Sequence, residues 1–191
     1  MPHNPTTIFL TLYFDPATEQ AINRLWHILA DAGIPVPGIN GHRPHITIAA
    51  YDTTEYTPYQ QLLGHFSQSQ HAFPIRLHAL GIFPETGVVF LAPRVTAPLL
   101  SLHTALLTAC ATIGSTPLKY AHHLGDSNWM PHCTLARGQT PAQVRSIVAT
   151  CVDHWQAIDG MIAGIGILIP PTVVDVTQYA FASAPSSHEH S

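Results

Sequence analysis

An α+β fold in two similar halves is what this sequence of 191 residues predicts, and three observations lead there. Strand-like and helical runs follow one another in the same order in both halves, which suits β-sheets lined by helices. A short phrase occurs twice, about half the chain apart: Pro44-His45-Ile46-Thr47-Ile48-Ala49 and Pro131-His132-Cys133-Thr134-Leu135-Ala136. A hydrophobic content of 46% supplies a sizeable core and is too high for a disordered chain.

In the first half, 6–14 (TIFLTLYF with its preceding Thr) is rich in β-branched and aromatic residues and reads as a strand. Asp15-Pro16 opens a helix, with Asp as N-cap and Pro in the first turn. Ala21, Ile22, Leu25, Ile28 and Leu29 keep helical spacing until Gly33 stops the run. The Pro- and Gly-rich stretch Ile34 to Arg43 is a loop that delivers the chain to a strand from His45 to about Tyr51. A helix over 58–67 and strands over 73–83 and 88–92, joined by Pro84-Glu85-Thr86-Gly87, follow.

The second half repeats this order. The strand at 88–92 plays the part of the first strand. A helix over 97–113 carries Leu99, Leu100, Leu102, Leu106 and Leu107 as its apolar residues. A loop from Ser115 to Met130 leads to His132, then come a helix over 142–155 and strands over 161–169 and 173–182. One domain over 1–183 with an internal duplication is expected, ending in a small polar, disordered tail over 184–191.

In a strand, residues two apart point to the same side. His45 and Thr47 are therefore expected on one face with Ile46 and Ile48 on the other, and His132 with Thr134 opposite Cys133 and Leu135. Two such strands side by side make a cleft with facing imidazoles. Near neutral pH one ring can be neutral and its partner protonated, the pair that general acid/base catalysis needs. A lone His at a strand start is more often a structural hydrogen-bonder. Recurrence with the same neighbours reverses those odds.

Charge is sparse: seven Lys and Arg against eleven Asp and Glu give a net charge of −4. That excludes broad electrostatic binding of long duplex nucleic acid and favours a small anionic ligand. Three cysteines without metal-like spacing read as reduced, buried thiols of a cytoplasmic protein. No signal peptide or membrane-spanning run is evident. Of the fourteen histidines, only His122-His123 and His188/His190 are close groups, and neither has carboxylate or Cys neighbours at ligand spacing. No metal and no cofactor is expected.

The paired Pro-His-x-Thr-aliphatic-Ala phrases resemble the 2H phosphoesterase superfamily, which includes the bacterial 2′-5′ RNA ligase-like proteins. The resemblance implies two pseudo-symmetric lobes, each an antiparallel sheet with flanking helices, around a central cleft. It implies a metal-independent hydrolase that opens 2′,3′-cyclic phosphates of nucleotides or RNA ends to 2′-phosphates, with reversible 2′-5′ RNA ligation. His45 and His132 would serve as acid and base, in an order the sequence does not assign, and Thr47 and Thr134 would bind phosphate oxygens. A monomer acting on a small nucleotide, short oligonucleotide or RNA end is the expected form. The alternatives are a phosphodiesterase for 2′-5′ oligoadenylates or cyclic oligonucleotides and, from another class, a binding module without turnover.

Further candidates for substrate binding are Tyr51, Trp129, Arg43 and Arg137. Tyr51 stands six residues after His45 and shares its face by strict alternation, as a base-stacking or core residue. Trp129 precedes the second phrase as a cleft wall or a loop anchor. Arg137 is a phosphate-neutralising candidate, although strict alternation turns it away from His132 unless the strand twists or ends there. Ala50 holds the matching position in the first copy, which leaves Arg43 as the nearby cation.

Overall fold

A computed structural model of the chain describes residues 5–118, 129–169 and 174–183. The first strand, β1 (Thr6–Phe14), buries Ile8, Leu10 and Leu12 completely. Helix α1 (Pro16–Asp31) starts at Asp15, whose Oδ2 accepts the Ala17 N–H at 3.2 Å. The same carboxylate accepts the Met161 N–H at 3.0 Å, tying the helix start to a distant strand. Burial pushes the Asp15 pKa up, but the bonds from Thr18, Met161 and Ala17 outweigh it and hold it below the usual value. Gly33, at φ 79°, follows the end of the helix in the left-handed conformation that favours glycine.

A 3₁₀ turn (Pro37–Asn40) leads to β2 (His45–Thr53), α2 (Thr57–Gln68), β3 (Phe73–Phe83) and β4 (Val88–Pro93). Helix α3 (Ala97–Ala111), β5 (Cys133–Ala136), α4 (Pro141–His154), β6 (Ile158–Ile169) and β7 (Val174–Ala180) follow. Thr140 and Gln143 form a reciprocal capping box at the start of α4. Several boundaries shift from the sequence reading, by two residues at the ends of α3, β2 and β7 among others, and two of the shifts matter most to the sheet. His132 lies one residue before β5 rather than inside it. β6 begins at Ile158 rather than Met161, because Ile158–Ile162 pair with Leu77–Phe73 of β3. Gly160 stands in that added stretch, and its missing side chain makes room for Thr18 of α1.

The described strands form one hydrogen-bonded sheet in the order β2-β1-β6-β3-β4-β5, with β7 also on β6. All its strand pairs are antiparallel. The two sheets expected from the sequence are thus joined through β6. Its first residues pair with β3, and residues from Ile162 to Leu168 pair with β1. β2 and β5, the ends of this path, come back into contact.

One face of the sheet carries Leu10, Leu12, Ile46, Val89 and Leu91 into a core shared with apolar residues of all four helices. The opposite face carries Phe9, Tyr13, Phe90 and Leu168, which stand outside that core, and it is the face of the histidine phrases. Cys110, Cys133 and Cys151 are free thiols, all buried. No helix among the described residues is long and apolar enough to cross a membrane. His122, His123, His188, His190 and the tail over 184–191 lie outside the described residues, as does most of the loop before Trp129.

Candidate active site

Each histidine of the repeated phrase is held in the same way. His45 Nδ1 lies 2.7 Å from the Arg43 carbonyl, and His132 Nδ1 lies 2.8 Å from the Met130 carbonyl. A carbonyl only accepts, so each Nδ1 carries the proton and the neutral ring keeps its lone pair on Nε2. The bond reaches back two residues, across the intervening Pro44 or Pro131. Proline fixes its own φ, so the ring is oriented against that carbonyl by local chain geometry.

Strand register explains where the following residues go. In β2, Thr11 pairs with Thr47 but Leu10 pairs with Ala49, so Ile48 is an extra residue. In β5, Phe90 pairs with Thr134 but Val89 pairs with Ala136, and Leu135 is extra. Both phrases therefore carry a β-bulge at the aliphatic residue after Thr. A bulge sets two residues against one and reverses the alternation beyond it. Ile48 with Ala49, and Leu135 with Ala136, all enter the core.

The reversal decides the fate of two candidates. Tyr51 is turned to the core face, opposite Ile8, where it is 1% exposed and its ring lies 4.9 Å from that of Tyr59. Its hydroxyl meets Cys110, and burial drives its pKa well above the ordinary tyrosine value. The expectation that Tyr51 shares the His45 face is corrected. Arg137, by contrast, is restored to the Thr134 face and reaches the site.

A pocket of about 130 Å³ is lined by His45, Thr47, Thr134 and Arg137, together with Phe9, Pro37, His42 and Leu168. It draws on both phrases, whose strands touch: the His45 main chain hydrogen-bonds the Cys133 sulfur, whose pKa burial pushes up to about 12. The volume is too small to enclose a whole nucleotide. Larger hollows of about 490 and 550 Å³ lie against α2–α3 and α1–α4 and hold neither phrase. Among the described residues, no group of three or more His, Cys, Asp or Glu side chains could hold a metal ion.

His132 is not part of the pocket lining. Its ring packs against two aromatic rings, 5.1 Å from Phe83 edge-on and 5.0 Å from Phe90. Burial lowers its pKa from the ordinary histidine value, and the Met130 carbonyl opposes this only in part. Phe90 shares the face of its register partner Thr134, and it lies over Gly81, where a Cβ would strike its ring.

Arg43 and Trp129 are placed elsewhere. The Arg43 guanidinium makes a 2.5 Å ion pair with Glu19, bonds the Gln178 side chain and lies 4.6 Å from the Tyr13 ring centre. Its charge is matched by a carboxylate, so the expected phosphate cation of the first copy is committed to structure. Trp129 stacks on His103 of α3 at 3.7 Å and an angle of 3°, the loop-anchor alternative.

Sequence reasoning missed Phe83, Phe90, Trp26 and His42. Trp26 of α1 donates its indole N–H to the Thr134 carbonyl at 3.2 Å, bracing the short strand β5. His42 precedes His45 by three residues, and its ring lies 6.3 Å from the His45 ring, tilted 28°. Its nearness in sequence to the phrase was the signal available.

Residues 11–170 match the family model of the 2′-5′ RNA ligase superfamily. No curated protein matches the chain by sequence. Several solved structures share its fold at low identity. LigT of E. coli in complex with 3′-AMP is 18% identical, with a TM-score of 0.62, over 93% of this chain and 98% of its own. TT0787 of Thermus thermophilus is also 18% identical, with a TM-score of 0.63, over 94% of this chain and 100% of its own. The PDE domain of MHV ns2 is 15% identical, with a TM-score of 0.51, over 87% of this chain and 99% of its own. LigT has also been solved with NADP+, with phosphate and with ATP.

Proposed function

The chain belongs to the 2′-5′ RNA ligase superfamily, and on that premise we propose that it is a metal-independent cytoplasmic phosphoesterase. Its substrate is the 2′,3′-cyclic phosphate of a nucleotide or RNA end, hydrolysed to the 2′-phosphate. The observation that carries this reading is the pocket that gathers His45, Thr47, Thr134 and Arg137 from both phrases. The ligands of LigT, 3′-AMP and phosphate among them, support a small nucleotide.

In this reading one neutral imidazole takes a proton from water as its oxygen attacks phosphorus. The bond from phosphorus to O3′ breaks, and the other imidazole, protonated, donates to O3′. Each transfer is worth about 10²–10⁴-fold when well placed. Burial disfavours imidazolium at His132, which suits it to the base role and leaves His45 as the acid. Thr47, Thr134 and the Arg137 guanidinium take the non-bridging oxygens and stabilise the charge that builds there. With a 5′-hydroxyl in place of water, the same displacement joins RNA ends through a 2′-5′ linkage, and its reverse cleaves that linkage.

The test is turnover of 2′,3′-cyclic nucleotides in excess EDTA, with 2′- and 3′-phosphate products resolved. A 2′-phosphate formed by the wild type and lost in His45→Ala is expected. Turnover of 2′-5′-linked adenylates alone would move the assignment to an oligonucleotide phosphodiesterase. Tight nucleotide binding with no product from either substrate would leave a binding module.

A further inference from the structure

His42 is 8% exposed and is one of the residues that line the pocket, with its ring 6.3 Å from that of His45. A buried polar ring on a loop needs a reason to be there, and the loop is built to hold it. Gly38 lies so close to Trp26 that a Cβ would come within 2.5 Å of the indole. Gly41, at φ 80°, then turns the chain in the left-handed conformation just before His42. Trp26 in turn donates to the Thr134 carbonyl, so one indole fixes both the His42 loop and the strand of the second phrase. The position of His42 is thus set by the same contacts that position the pocket.

The two sides of the pocket are unequal. On the second-copy side Arg137 offers guanidinium donors to an anion. On the first-copy side the matching residue is Ala50, and the neighbouring Arg43 is paired with Glu19. His42 fills that gap.

We propose that His42 is a substrate-binding residue, a third imidazole that donates a ring N–H to a non-bridging phosphate oxygen on the first-copy side. This rests on the reading of the pocket as a phosphate site. A neutral imidazole always carries one N–H, so the contact needs no proton uptake and leaves the His45 charge undisturbed. The ligand class is a phosphate ester with at least one free non-bridging oxygen.

The experiment is NMR of the full chain with isotope-labelled histidine, titrated with inorganic phosphate, 2′-AMP and adenosine. The His42 resonances are assigned by their loss in His42→Gln. The expected result is a His42 ring shift that saturates with phosphate and with 2′-AMP and not with adenosine. His42→Leu should weaken 2′-AMP binding about tenfold or more, as loss of a hydrogen bond to a charged group does, with adenosine unaffected. His42→Gln, which keeps an N–H donor, should recover most of that affinity. Saturating phosphate that leaves the assigned His42 ring unmoved in the wild type overturns this proposal alone. No phosphate binding at all overturns the pocket reading and this proposal together, whereas a His42 shift without cyclic phosphate turnover overturns only the proposed reaction.

Discussion

The two Pro-His-x-Thr phrases hold their histidines alike and surround them differently. Both rings donate from Nδ1 to the carbonyl two residues back, and both strands bulge at the aliphatic residue after Thr. The first feature needs only the phrase and the residue before it. The second arises because each phrase pairs with a neighbouring antiparallel strand in the same register, so both recur. What differs comes from outside the phrase. His45 has His42 as its ring neighbour, whereas His132 is packed against Phe83 and Phe90. Beyond the bulge the first strand offers Ala50 and the second Arg137. A repeated local device has been set in two unlike walls, which suits the opposite proton duties proposed for the two histidines.

The largest effect should come from breaking either half of the device. His45→Ala and His132→Ala should each lower kcat/KM about 10²–10⁴-fold. In a shared acid/base cycle the double variant should fall well short of the product of the two losses. Steady-state kinetics on 2′,3′-cyclic AMP checks both points, and a double variant with wild-type turnover would end the two-histidine reading.

Next in size is the Ala50/Arg137 asymmetry. Arg137→Ala removes the guanidinium of a pocket-lining residue and should lower kcat/KM about 10- to 100-fold, with Arg137→Lys recovering part of it. Arg43→Ala should leave kcat/KM within a factor of about 3, because the guanidinium is engaged by Glu19, Gln178 and Tyr13. Its main effect should be on stability; a half-exposed pair of this kind is worth about 1 kcal/mol or less. Parallel kinetics and urea unfolding of the two variants tests the contrast, and equal kinetic losses would mean that Arg43 reaches the substrate.

That contrast also marks where the sequence stops being legible. The order of strands and helices, the α+β class and the two phrases could be read directly, because periodicity, caps and repetition are local. The bulges could not. Alternation presumes an unbroken ladder, and neither Ile48 nor Leu135 differs in type from an ordinary strand residue. One extra residue in each strand sent Tyr51 to the core and brought Arg137 to the site. The partners of Arg43 were equally hidden, since Gln178 lies on a strand at the far end of the chain and Glu19 on a helix. His42 escaped notice because it stands outside the phrase, in a stretch read only as a Pro- and Gly-rich loop.

Tyr51→Phe is a smaller test of the same register. A tyrosine stacked on a base would lose little on conversion to Phe in KM, so the informative readout is stability. Removing a buried hydroxyl that meets Cys110 should destabilise the fold by about 1 kcal/mol while kcat and KM stay unchanged. Tyr51→Ala should unfold at much lower denaturant, by about 3–5 kcal/mol for a large core aromatic. An active, undiminished Tyr51→Ala with altered KM would instead put the ring in the cleft.

The smallest expected effect concerns the unlike wall around His132. Its folded pKa lies below the ordinary value of 6.5, chiefly through burial among residues such as Phe83 and Phe90. Between 6.5 and that lower value the unfolded chain binds a proton that the folded chain refuses. Stability contributed by the neutral ring is therefore complete above about pH 6.5 and shrinks as the pH falls through that window. His132→Asn removes the titration, so its urea midpoint should drop less than that of the wild type between about pH 7.5 and 5.5. With His132 as the base, the acid limb of kcat/KM should likewise fall below about pH 6.5, because a depressed pKa keeps the ring neutral to lower pH. An acid limb above that value would give the base role to His45 and make the aromatic wall a device for steering the protonated ring toward the leaving oxygen.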